Sequence, residues 1–281
     1  MTIPRFLLNQ NASTSRKLKL KLRIFRGEGY NPAPMWTFIH KLGSPKSAYS
    51  LSGVLLPWVA LASVLSFGFG LIGALYWAPA DYQQGEVFRI IYLHVPCAIL
   101  SMAVYAWMSL NVLLYLVWKL KVADTMAKIS APMGAVFTAL ALLTGSLWGK
   151  PTWGTYWIWD ARLSSELILL FIYLGVISLR SSIPDPQTAA KVSGVLTLVG
   201  CVNLPIIHYS VLWWHTLHQG ATILQWAKPS IAPEMLKPLL VMILAFSLYF
   251  VWYVLIRLRT ELLLREQKST WVAEVLRGKS R

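Results

Sequence analysis

The sequence predicts an all-α integral membrane protein with six transmembrane helices, both termini cytoplasmic, and a tryptophan-rich loop on the outer face. Three observations carry this prediction. Of the 281 residues, 56% are apolar and only 13% charged, a balance too oily for a soluble domain of this length. Six apolar runs are each long enough to cross a bilayer core of roughly 30 Å, which takes about 20 residues of helix. Lys and Arg gather in alternate connections between those runs, which sets the orientation.

The runs fall at about 53–78, 89–118, 129–147, 163–179, 192–213 and 236–256. The second is long for one crossing, so its start, Arg89 to His94, is expected at the interface, with buried helix beginning near Pro96. With the N-terminus cytoplasmic, 21 of the 26 Lys and Arg lie on that side. The remaining five, Arg89, Lys150, Arg162, Lys228 and Lys237, lie on the other. Acids divide six and five, so the formal charge of +15 belongs wholly to the inner face. This basic balance reads as topology and contact with an anionic lipid bilayer, and predicts no nucleic-acid binding.

The chain divides into a basic N-terminal arm (1–50), a six-span membrane domain (51–256) and a basic cytoplasmic tail (257–281). Glu28 is the arm's one acid. Mitochondrial presequences share that acid-poor look, but a cytosolic arm and the bacterial inner (cytoplasmic) membrane are the preferred reading over the mitochondrial inner membrane. A cleaved secretory signal is not expected, because no apolar core precedes residue 51. Cys97 and Cys201 fall in separate spans, which predicts neither a disulfide framework nor a redox pair. Cys97 reads as a packing residue. There is no CxxCH, no HExxH and no Walker A sequence, so any hydrolytic energy must come from a partner.

In this topology the stretch "WGKPTWGTYWIWDARL", 148 to 163, joins spans three and four on the outer side. Eight of the 14 Trp lie on or near that face, a lopsidedness that argues against an interfacial belt alone. Four of the five His (His94, His208, His215 and His218) also lie at or near the outer ends of spans. Singly, each reads as a hydrogen-bonded interfacial side chain. Together they suggest a metal centre gripped from two elements, since imidazole is the commonest metal ligand. A porphyrin would need wide apolar walls, which Trp and Tyr supply, and cations for its propionates, which Lys150 and Arg162 could supply. Porphyrin accounts for aromatics, bases and histidines together. Bare zinc accounts for the histidines alone and would want three or four ligands.

A helical reading of the loop puts Trp153, Tyr156, Trp157 and Asp160 on one face and turns Trp159 away toward lipid. Gly149, Pro151 and Gly154 favour a turn in its first part. Arg162 and Glu166, four apart, are placed to pair. Spacing does not choose among His208, His215 and His218, because the first two would share a helix face and the last two lie one turn apart.

"WGTYWIWDARL" is similar to the WGxxWxWD motif of haem-handling proteins. "YLHVP", "WGKPTWG" and "NLPIIHYSVLWWHTLHQG" resemble the haem-delivery family of cytochrome c maturation, the CcmC type. The resemblance covers about residues 35–281, so residues 1–34 are expected to be dispensable, with Met35 a candidate start. It implies that haem b (iron protoporphyrin IX) is held at the outer face and passed to a periplasmic membrane-anchored haem chaperone. It also implies work alongside an ABC transporter's ATPase and membrane subunits and a small membrane subunit. Carried over residue by residue, the axial ligands are His94 and His218, and the haem platform is Trp148, Trp153, Trp157, Trp159, Asp160 and Arg162. No ligand role is implied for His208 or His215, and no catalytic residue is implied; a lyase-like contribution is left open. The alternative is a multi-pass transporter moving haem or another solute, for which Asn203 and Pro205 in span five are the main candidates. A third reading makes the Trp stretch a docking surface.

Overall fold

The computed structural model describes residues 43–278 except 221, 222 and 224–228. The expectations for residues 1–34, and for most of the arm, lie outside the described residues. Among the described residues the protein is all-helical apart from one isolated bridge, Asp81 to Gly85.

Helix α1 (Pro45–Ile72) ends in a π turn, Gly73–Trp77. A 3-10 turn, Glu86–Ile90, leads into α2 (Ile91–Trp118). Helices α3 (Lys121–Trp153) and α4 (Ala161–Ser182) follow. The fifth span is broken at Cys201 and Val202 into α5 (Pro186–Gly200) and α6 (Asn203–Trp213). Helix α7 (Pro233–Arg265) and the short α8 (Thr270–Leu276) complete the chain. Six of these segments are long and apolar enough to cross a membrane, from Pro45–Trp77 to Pro233–Arg265, matching the six runs of the sequence.

Local chemistry sets the helix ends. Asp160 caps α4 by accepting from the Leu163 N–H at 2.8 Å, and Asp185 caps α5 by accepting from Thr188 N–H at 2.8 Å with Pro186 behind it. Helix α3 stops at Gly154, whose φ of +78° is a left-handed cap that a side chain would resist.

Helix α3 is central: 56% of its most apolar window is buried, against 11% for α1, whose apolar surface is left for lipid. It packs on α2, α4 and α7, while α1 leans on α7 and α4 supports α5 and α6. One core joins α2, α3 and α7 around Cys97, Phe137 and Leu239, and the fully buried Cys97 packs there as expected. A second joins α2, α3, α4 and α6 around Tyr105, Leu169, Tyr173 and Ile207. Its phenols are satisfied across helices: Tyr105 donates to Thr197 O at 2.9 Å and Tyr173 to Ser101 O at 2.8 Å.

The end of the bundle away from the Trp loop is held by charge. Asp124 on α3, 2% exposed, pairs through one oxygen with Arg180 of α4 and through the other with Arg265 of α7, both at 2.7 Å. Arg265 also donates to Thr125 Oγ1 at 2.8 Å, and Lys128 pairs with Glu261 nearby.

The structure corrects three local expectations. Gly149 and Pro151 do not turn the chain: α3 runs through both to Trp153. In isolation Gly costs about 1 kcal/mol and Pro about 3 kcal/mol in a helix, but Trp148 and Trp153 are anchored in a cavity wall. The Thr152 hydroxyl adds a bond to Trp148 O at 2.8 Å. Residues 154–160 are consequently not helical, so Trp153, Tyr156, Trp157 and Asp160 share no helix face. Helix α2 begins at Ile91 rather than near Pro96, because Ile91 and Tyr92 are already buried. Helix α1 begins at Pro45, with Ala48 and Tyr49 packed on the α3–α7 contact.

Candidate functional site

A cavity opens at the Trp-loop end between α2, α3, α4, α6 and the segment after α6. On α2 it is lined by His94, Ala98 and Met102, successive positions of one helix face, so it reaches about 12 Å along that helix. Helix α3 contributes Ala141, Gly145 and Gly149, again four apart, with Trp148 and Trp153 beside them. Arg162 and Glu166 line it from α4, His208 from α6, and Leu217 to Gly220 from the loop beyond.

The small residues on α3 make the room. A Cβ on Gly145 would stand 3.0 Å from His94 Cε1, and one on Gly149 would stand 3.0 Å from the Trp153 ring. Each histidine has a tryptophan against it: Trp148 meets His94 edge-on with ring centres 5.7 Å apart, and Trp153 lies 6.1 Å from His218. Trp148 is fixed in turn by Phe88, at 5.8 Å, and by its Nε1–H, which donates to Gln84 Oε1 at 2.7 Å.

His94 and His218, 124 positions apart in the chain, are brought together with ring centres 6.4 Å apart and planes tilted by 40°. A metal–imidazole bond is about 2.0–2.1 Å and a ring nitrogen lies roughly 1.1 Å from its ring centre, so two imidazoles holding one ion in line stand about 6.3 Å apart. The observed spacing fits one ion between them. On His218, Nδ1 is 2.7 Å from Gln219 O. A carbonyl only accepts, so Nδ1 carries the hydrogen and Nε2 keeps its lone pair. Burial, with the Arg162 guanidinium adding to it, holds the His218 imidazole below its ordinary pKa, which preserves the neutral form that binds metal.

Asp160 positions His218 rather than facing the cavity. One carboxylate oxygen caps α4; the other accepts from the Thr216 hydroxyl, whose oxygen accepts the His218 backbone N–H at 3.1 Å. The loop bearing His218 is thereby tied to the start of α4. Arg162 does not pair with Glu166: its Nη1 donates to Ile207 O at 2.8 Å, pinning α6. Glu166 is buried in the cavity wall with Oε1 lacking a hydrogen-bond partner. Lys150 is turned outward, donating to Gly154 O at 3.1 Å and lying over the Tyr156 ring at 5.3 Å.

The profile of the heme exporter protein C family, CcmC, matches residues 38–273. The chain belongs to this family. Over 247 residues it is 50% identical to heme exporter protein C of Escherichia coli strain K12, covering 88% of this chain and all of that relative. The corresponding protein of Haemophilus influenzae is 48% identical over 238 residues, 85% of this chain and 97% of the relative. That of Rhodobacter capsulatus is 39% identical over 232 residues, 82% and 96%.

In this member of the heme exporter protein C family, the residues singled out from sequence divide into three groups. His94, His218, Trp148, Trp153 and Arg162 line one cavity. Asp160 lies behind it, one hydroxyl away from His218. Trp157 and Trp159 pack on each other with ring centres 5.4 Å apart, outside the lining, and Trp159 is 80% exposed. His208 lines the cavity with its ring against Tyr209 at 4.7 Å, and His215 is exposed. Sequence reasoning missed Gln84, Thr144, Gly145, Gly149 and Thr216. The spacing of Ala141, Gly145 and Gly149 at every fourth position was a readable sign of a smooth helix face; the Gln84 and Thr216 contacts join distant segments and left no local sign.

Proposed function

We propose that this protein holds haem between His94 and His218 at the periplasmic face and presents it to a membrane-anchored haem chaperone during c-type cytochrome biogenesis. The observation that carries the reading is the pair of neighbouring imidazoles, spaced for one iron and each backed by a tryptophan. The family's relatives are named heme exporters. Haem b is the form proposed. Trp148 and Trp153 supply apolar wall to the ring, Arg162 a buried cation in the same cavity, and Asp160 with Thr216 the position of His218. Trp159, exposed and packed on the half-buried Trp157, is the surface the chaperone meets. An ABC transporter's ATPase and membrane subunits, with a small membrane subunit, are the proposed companions, since this chain carries no ATP-binding sequence of its own.

The proposed membrane is the bacterial inner membrane, with both termini cytoplasmic, on the strength of the 21 to 5 division of basic residues. Reporters active only in the periplasm are expected to work when fused at Tyr82 and to fail at Asp185 or Ser269. Activity at Asp185 would invert the orientation.

Co-purification with the chaperone, with haem quantified, tests the delivery role. Stacking on one aromatic is worth about 1–3 kcal/mol in nucleic-acid sites, so Trp153→Ala is expected to lower bound haem without abolishing it. Trp159→Ala, outside the cavity, is expected to keep haem and lose chaperone loading. Wild-type haem and loading in both variants would reduce the tryptophans to an interfacial belt.

A further inference from the structure

Thr144 lies on α3 beside His94, and its hydroxyl oxygen is 3.0 Å from His94 Nδ1. The same oxygen is 2.6 Å from Leu140 O, the carbonyl one turn back, and 3.3 Å from Ala141 O. A hydroxyl has one hydrogen, and carbonyls only accept. The hydrogen goes to Leu140 O, the nearest acceptor, so toward His94 the Thr144 oxygen can offer only a lone pair. Nδ1 must then carry the imidazole hydrogen, and Nε2 is left with a lone pair. Thr144 is 5% exposed, so solvent has little access to take over its role. The ring is also fixed from the side, with Trp148 against one edge and Gly145 leaving just enough room for Cε1.

We propose that Thr144 is a positioning residue that sets the tautomer and angle of His94, so that Nε2 faces His218 ready to bind iron. The proposal rests on the reading of His94 as a ligand for its consequence in haem binding, and on geometry alone for the tautomer. It parallels what the Gln219 carbonyl does for His218, with a difference: Thr144 is a side chain and can be changed. Groups that orient a metal-bound histidine typically change affinity by about 10–100-fold when removed.

The test uses the full-length protein in bilayers with Thr144→Val, which keeps the shape and loses the hydroxyl, and Thr144→Ser, which keeps the hydroxyl. Two measurements are made: nitrogen NMR of 15N-histidine in the haem-free protein, and absorbance titration with ferric protoporphyrin IX, with His94→Ala alongside. Wild type and Thr144→Ser are expected to show His94 protonated at Nδ1. Thr144→Val is expected to lose that signature and bind the porphyrin about 10–100-fold more weakly. An unchanged His94 signal in Thr144→Val, or Thr144→Ser behaving like Thr144→Val, would overturn the proposal. If His94→Ala weakens porphyrin binding and Thr144→Val does not, the role of Thr144 in ligation fails while the haem site stands. If His94→Ala has no effect, the haem ligand itself is misassigned, and the NMR comparison still decides whether Thr144 sets the tautomer.

Discussion

His94→Ala and His218→Ala are each expected to remove most of the haem this protein retains and to change the spectrum of the remainder. The two rings are neighbours in the cavity, 6.4 Å apart between centres, and among the described residues no other histidine ring packs against either one. Losing a group that only orients a ligand costs about 10–100-fold in affinity, so losing the ligand should cost at least that. His215→Ala should bind haem like the wild type, because His215 is exposed and outside the lining. His208→Ala should largely spare binding as well: its ring lies in the wall but is seated against Tyr209. Titration of purified variants with ferric protoporphyrin IX checks all four. A wild-type spectrum in His218→Ala together with a lost one in His215→Ala would transfer the ligand role to His215.

Asp124→Ala is expected to destabilise the protein by about 3–5 kcal/mol, the usual result of stripping one partner from a buried ion pair. Asp124 is 2% exposed and holds Arg180 and Arg265 at 2.7 Å each, so its loss leaves Arg180 without its carboxylate and Arg265 with only the Thr125 hydroxyl where three helices meet. Asp124 and Thr144, which bonds the cavity residue His94, are on the same helix about 30 Å apart. Porphyrin affinity of the folded fraction should therefore be unchanged. Thermal unfolding in detergent, followed by circular dichroism, reads the stability. A wild-type midpoint would mean that apolar packing alone closes that end of the bundle.

The six spans were legible because apolar run length is a property of the chain itself, and the bilayer sets it. The helix ends within the Trp loop were not. Gly149 and Pro151 carry strong local signals for a turn, yet the burial of Trp148 and Trp153 against α2 and the loop after α6 outweighs them. Likewise Arg162 and Glu166 have the spacing of a helix pair, but Arg162 is drawn to the carbonyl of Ile207, 45 positions on. Among the histidines, position in the chain placed four near one end of the bundle, and similarity to a family pointed to His94 and His218. Only the fold shows the distance between those two, and only the hydrogen bonds show which nitrogens are free. Asp160, grouped with the haem platform, is hydrogen-bonded through Thr216 to a loop that no sequence period connects to it.

Electron paramagnetic resonance of the protein loaded with ferric protoporphyrin IX decides whether one iron lies between His94 and His218. The wild type is expected to give a low-spin signal of two-imidazole ligation, converted to a high-spin signal by either His94→Ala or His218→Ala. A wild type that is high-spin, with a signal unaltered in both variants, would contradict it.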